Sequence, residues 1–82
     1  MPLTSRINNY LAEQARAQRL PLPTQDQDLF HTGYLDSFAI IELIALIESE
    51  YRIKLKDADL EPEAVATIAK IESLVNRYQH NA

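Results

Sequence analysis

Eighty-two residues of which 46% are hydrophobic supply one modest core, which argues against a second domain or a deep substrate cleft. The chain has no cysteine, so disulfides, thiolate nucleophiles and cysteine metal sites are excluded and packing alone has to stabilise the fold. The net charge is −4, yet residues 26–63 hold ten acids against Arg52, Lys54 and Lys56, a local −7 that repels nucleic-acid phosphates and argues against DNA or RNA as a partner. The opening Met1-Pro2-Leu3-Thr4-Ser5-Arg6 lacks a signal-peptide layout, and no apolar run approaches the ~20 residues of a membrane span. A soluble, cytoplasmic protein is expected.

Thr4 or Ser5 caps a first helix in which Ile7, Leu11 and Ala15, with Tyr10 beside them, recur at helical spacing. Leu20-Pro21-Leu22-Pro23 is expected to stop it. Residues 21–35, with two prolines, Thr24, Asp26, Asp28 and Gly33, read as a long ordered loop held down by Leu29, Phe30 and Leu35. Ser37 opens the longest apolar run. Through Tyr51, the residues Ile40, Leu43, Ile44, Ile47 and Tyr51 form one stripe, with Glu42, Glu48 and Ser49 largely off it, which predicts the second helix.

Arg52-Ile53-Lys54-Leu55-Lys56 alternates with period two, but no other segment reads as a strand to pair with it. An extended connector with Ile53 and Leu55 in the core is expected. Glu61-Pro62-Glu63 begins a short third helix reaching about Ala66, with proline in its first turn and acids at its positive end. Thr67 caps a fourth helix with Ile68, Ile71, Leu74, Val75 and Tyr78 on one face, and residues 79–82 are expected to fray. The predicted fold is all-α: a small four-helix bundle of three longer helices and one short one, with a long first loop, forming one domain over residues 1–82.

The stretch Gly33-Tyr34-Leu35-Asp36-Ser37-Phe38 sets the only glycine just ahead of a serine whose hydroxyl stands exposed at a helix start. An isolated serine hydroxyl needs a base to become a nucleophile. The candidates are His31, six residues away in the loop, and His80 near the end of the chain; no Gly-x-Ser-x-Gly elbow exists. Ser37 therefore reads as the substrate of another enzyme, and no catalytic residue or enzymatic activity is expected. An anionic group attached there meets unpaired backbone N–H groups and the positive end of a helix. By themselves, Asp36 and Ser37 read as helix caps, and only the surrounding motif favours a modified serine. Gly33 reads as a turn residue with positive φ.

With Asp28-Leu29-Phe30 upstream and Phe38-Ala39-Ile40-Ile41-Glu42-Leu43-Ile44-Ala45-Leu46-Ile47-Glu48 downstream, this stretch resembles the phosphopantetheine attachment site of acyl and peptidyl carrier proteins. The family pattern is Asp-Leu-Phe, a glycine three residues later, Asp-Ser followed by Leu, Phe or Met, and an amphipathic helix. The likeness runs over residues 3–78, with its specificity in residues 28–38. It implies a phosphopantetheine arm on Ser37, placed there by a phosphopantetheinyl transferase from coenzyme A, with Asp36 supporting the transferase and its magnesium. It also implies that Phe38, Ile41, Glu42, Ala45 and Glu48 form a face for the enzymes that load and process the cargo. On the residues alone, Phe38 folding onto the loop and Ile41 completing the core is the alternative.

Ala39 and Ile40 stand where carriers of primary fatty-acid synthesis add acid, and Arg52, Lys54 and Lys56 place basic charge beyond the helix. The expectation is a discrete, monomeric acyl carrier of a specialised lipid or polyketide pathway that holds its cargo as thioesters. An aminoacyl carrier of the D-alanyl or peptidyl kind is the alternative, and a cofactor-free helical interaction module a third reading. No metal site within the protein is expected. His31 and the basic trio read as solvated, and Tyr51 and Tyr78 as core.

Overall fold

Three apolar stripes at helical spacing produce three α-helices: α1 (Ser5–Ala17), α2 (Ser37–Tyr51) and α3 (Ile68–His80). The computed structural model describes residues 3–80. Ile7, Leu11 and Ala15 of α1, Ala39, Ile40, Leu43 and Ile47 of α2, and Ile71, Leu74 and Val75 of α3 converge on one core. Each fully buried leucine or isoleucine in it contributes about 1.5–3 kcal/mol of transfer free energy.

The predicted short third helix forms no α-helical turn. Its residues make a 3-10 turn, Pro62–Val65, preceded by a second 3-10 turn, Asp57–Asp59. Four residues opened by a proline close too few i→i−4 bonds to offset helix nucleation, whereas the tighter i→i+3 pattern suits so short a piece. The all-α fold expected is present, and among the described residues it consists of three α-helices with two 3-10 turns in place of the short third helix. At the C-terminus, Gln79 and His80 continue α3 where fraying was expected, while Asn81 and Ala82 lie outside the described residues.

The first helix ends before its prolines. Gln18 caps α1, and Arg19 takes the left-handed conformation at φ 58°. The Arg19 N–H donates to the Arg16 carbonyl and the Leu20 N–H to the Ala15 carbonyl, the paired bonds of a Schellman motif. α2 closes in the same way on Arg52 at φ 53°, with the Ile53 N–H donating to the Glu48 carbonyl at 3.1 Å. A left-handed L-residue costs about 1–2 kcal/mol. Terminal hydrogen bonds and a cation at the negative helix end offset that cost, so both stops formed without the glycine that signals them in a sequence.

Between α1 and α2 the loop is tied down along its length. The Leu29 N–H donates to the Ala66 carbonyl at 2.8 Å, and the Ala69 N–H to the Gln25 carbonyl at 3.0 Å, which fastens the loop to the start of α3. Leu29 and Leu35 are buried as expected, whereas Phe30 is half-buried. The deepest aromatic of the loop is Tyr34, only 1% exposed, whose hydroxyl donates to the Pro21 carbonyl. Residues 52–56 run as an extended connector, with Leu55 buried and Ile53 packed against the core. No helix is long and apolar enough to cross a membrane among the described residues.

Candidate functional site

The loop delivers Asp36 and Ser37 to a defined place through a chain of local bonds. Asp28 Oδ1 accepts the N–H groups of Phe30 at 2.8 Å and His31 at 2.9 Å, while its backbone carbonyl accepts the Thr32 N–H at 3.3 Å. The His31 N–H, joined by that of Phe30, holds the Asp28 carboxyl below the usual carboxylate range against an opposing desolvation effect. The chain then reverses at Gly33, whose φ is +88°. A Cβ there would meet nothing within 4 Å, so the backbone conformation and not lack of space calls for glycine. The Leu35 N–H closes the turn on the Leu29 carbonyl at 3.0 Å, with Leu29, Tyr34 and Leu35 anchored in the core.

Asp36 is the N-cap of α2. Its Oδ1 accepts the Ala39 N–H at 2.8 Å, and its carbonyl accepts the Ile40 N–H at 3.1 Å. Its Oδ2 has no partner among the described residues. Ser37 follows as the first helical residue and is exposed. Neither its hydroxyl nor the N–H groups of Ser37 and Phe38 find a partner among the described residues, as the first turn of a helix dictates. His31 lies on the exposed loop with its Nε2 4.0 Å from Asp28 Oδ2, and His80 closes α3. The described residues contain no group of three or more His, Cys, Asp or Glu side chains that would hold a metal ion.

The alternatives for the second helix separate clearly in the structure. Phe38 is 69% and Ile41 66% exposed, and Ala45 is exposed beside them. At 3.6 residues per turn, Phe38, Ile41, Glu42 and Ala45 fall within an arc of about 100° that faces away from the core stripe. Glu42 is exposed at the edge of that arc. Its Oε1 lies 3.1 Å from the Tyr10 hydroxyl, whose single proton has the Ala39 carbonyl at 3.0 Å as a competing acceptor. In the sequence Tyr10 is only a companion of the α1 stripe, and its place at the edge of that stripe is the one signal of this contact.

Glu48 is placed differently from the other four. It is half-buried, and its Oε2 accepts the Leu55 N–H at 2.9 Å, so the carboxylate is spent on anchoring the connector. Tyr51 and Tyr78 likewise serve as hydrogen-bonding struts at the edge of the core. The Tyr51 hydroxyl accepts the Thr4 N–H at 3.0 Å, and the Tyr78 hydroxyl accepts the Lys56 N–H at 2.8 Å while donating to Asp59 Oδ2 at 2.6 Å.

A phosphate ester fits Ser37 as the structure presents it. The hydroxyl is exposed and unengaged, and it stands beside unpaired N–H groups at the positive end of a 15-residue helix. The structure thus sets an exposed serine at a helix start, held there by an ordered loop and flanked by exposed apolar residues.

Comparison with known proteins identifies the family. Residues 5–75 match the phosphopantetheine attachment site family. The chain belongs to this family: it is a carrier protein whose prosthetic group is a covalently attached phosphopantetheine. Among similar relatives are the D-alanyl carrier proteins of Streptococcus pyogenes serotypes M1, M5 (strain Manfredo) and M49 (strain NZ131). Each is 38% identical over 55 residues, which cover 67% of this chain and 70% of the relative. No solved structure matches the chain.

Proposed function

We propose that this chain, one carrier domain over residues 1–82, bears its phosphopantetheine on Ser37 and holds an aminoacyl group of the D-alanyl kind. The observation that carries the attachment site is the unengaged, exposed Ser37 hydroxyl at the first turn of α2, next to a cap residue that keeps one carboxylate oxygen without a partner. When attached, phosphopantetheine supplies a terminal thiol that holds cargo as a thioester. The protein's own residues do the placing. Asp36 fixes the start of α2, and the free N–H groups of its first turn favour the phosphodiester. The Asp36 carboxylate opposes that anion, so its Oδ2 suits the divalent cation of the transferase reaction, which removes the conflict. Phe38, Ile41, Ala45 and Glu42 offer an apolar patch with an acidic edge on which loading enzymes dock.

The chain has no catalytic activity of its own in this reading, because no base among the described residues is hydrogen-bonded to Ser37. The arm must visit other active sites, and tethering raises the local concentration of cargo there without tight binding. The relatives favour D-alanyl cargo. The specialised lipid or polyketide pathway expected from the sequence finds no support among them, and an acyl cargo becomes the alternative outcome of the same experiment.

The test is intact mass. Apo protein incubated with coenzyme A, magnesium and a promiscuous phosphopantetheinyl transferase gains one phosphopantetheine, and Ser37→Ala gains none. The holo protein given ATP and a D-alanine-activating ligase then gains one alanyl group, whereas fatty-acid and aryl-acid adenylating enzymes add nothing. No first gain removes the attachment site; a gain only with acyl-activating enzymes removes the D-alanyl cargo and restores the acyl reading.

A further inference from the structure

Glu42 carries the one carboxylate of the exposed α2 patch that another helix grips. Its Oε1 lies 3.1 Å from the hydroxyl of Tyr10 on α1, 32 residues away in sequence. A glutamate on an open helix face otherwise samples several rotamers, and pairing it with a basic group of a partner includes the entropy of stopping that motion. The tyrosine is fixed at its ring end, because it packs against the core, and at its hydroxyl end by a second acceptor, the Ala39 carbonyl at 3.0 Å. Burial, reinforced by the hydrogen bond and the charge of Glu42, pushes the Tyr10 pKa up from the ordinary phenol value, so the hydroxyl stays a donor throughout the physiological range.

We infer that Tyr10 is a positioning residue for partner recognition: it holds the Glu42 carboxylate by Oε1 at the edge of the Phe38–Ile41–Ala45 patch and leaves Oε2 to accept a hydrogen bond from a Lys or Arg of the docking enzyme. This inference rests on the reading of that patch as the docking face. The tyrosyl hydroxyl has one proton and two acceptors within reach, which gives the device a release. When the proton turns to the Ala39 carbonyl, Glu42 is free to follow a partner cation; when it turns to Glu42, the carboxylate is held in place before the encounter. Pre-orientation of this kind acts on association and its salt dependence more than on the chemical step.

The experiment is a double-mutant cycle on the full chain, read out as transfer of phosphopantetheine from coenzyme A by a promiscuous transferase at low and moderate salt. Tyr10→Phe keeps the ring in the core and Glu42→Gln removes only charge at an exposed position, so both fold; circular dichroism checks this. Each single change is expected to raise KM for the carrier about fivefold, with kcat within twofold of the unmutated value and a flatter salt dependence. The double variant is expected to match Glu42→Gln alone, because Tyr10 acts through that carboxylate. A purely structural tyrosine predicts additive effects on KM, or a lower unfolding midpoint with KM unchanged, and either result overturns the proposal. Phe38→Ala, run alongside, tells the two readings apart. If it raises KM while Tyr10→Phe does not, only the positioning role fails; if neither moves KM, the docking face fails with it.

Discussion

The two ends of α2 belong to one continuous helix and are built for opposite purposes. At its start, Ser37 is exposed with an unengaged hydroxyl, and Phe38 and Ile41 turn large apolar surface to solvent. At its end three polar groups are engaged: the Glu48 carboxylate takes the Leu55 N–H, the Glu48 carbonyl takes the Ile53 N–H, and the Tyr51 hydroxyl takes the Thr4 N–H. The difference separates the bonds that stabilise the fold from the exposed surface proposed for recognition. The proposed attachment end stays accessible while the other end and the connector are held by bonds that leave the Ser37 hydroxyl unengaged.

Core substitution is the largest test of that division. Leu43→Ala, at a position with no exposure in the middle of α2, is expected to cost about 2–5 kcal/mol in urea unfolding. Phe38→Ala, five residues earlier on the same helix, is expected to stay within about 0.5 kcal/mol of the unmutated chain. Loading shows the reverse order: once a loading enzyme is in hand, Phe38→Ala is expected to slow transfer to the holo protein about tenfold, or ~1.4 kcal/mol, as loss of an apolar anchor does. Equal losses of stability from both changes would erase the contrast.

Glu48→Gln sharpens it next. The amide keeps an acceptor oxygen for the Leu55 N–H but loses the charge assistance, so a cost of about 0.5–1.5 kcal/mol in unfolding is expected, with little change in loading rate at physiological salt. A larger effect on loading than that of Phe38→Ala would move Glu48 back to the docking face and make acidic steering dominant. Asp36→Ala bridges the two ends: loss of the cap bond is expected to cost about 1 kcal/mol in unfolding while also slowing phosphopantetheine transfer, since the carboxylate that caps the helix is also the one proposed to serve the site.

Acid and alkali test the anchoring bonds with the smallest effects. The pKa values of Asp28 and Asp59 are lowered from 3.8 in the folded protein, the first by backbone N–H donors and the second chiefly by the Tyr78 hydroxyl. Each therefore contributes stability that is present above the unfolded carboxylate value and is lost as pH falls through the lowered folded value. Tyr10 and Tyr78 are raised above 10.0, so their contributions are present below that value and lost as pH rises through the folded one. A plateau of the unfolding midpoint from about pH 5 to 9, falling on both sides, is expected, and Asp28→Asn should flatten its acid limb. An unchanged acid limb in that variant would show that the charge of Asp28 contributes nothing to the pH dependence of folding.

The three long helices, the connector at residues 52–56 and the candidacy of Ser37 were all legible in the chain itself. Apolar periodicity, cap residues and a serine without a base are local properties, and local chemistry determines them. Tertiary structure alone decided the rest. It turned the proline-led segment into a 3-10 turn, because four residues cannot sustain an α-helix. It closed α1 and α2 on left-handed arginines, because the bonds that stabilise such a stop reach back five residues and leave no composition signal. It also sorted residues of similar type into different roles: Tyr34 into the core, Tyr10 onto Glu42, and Glu48 onto the Leu55 backbone while Glu42 stayed at the surface. Which glutamate meets a tyrosine and which meets a backbone N–H depends on the approach of elements far apart in sequence, and no local pattern carries that distance.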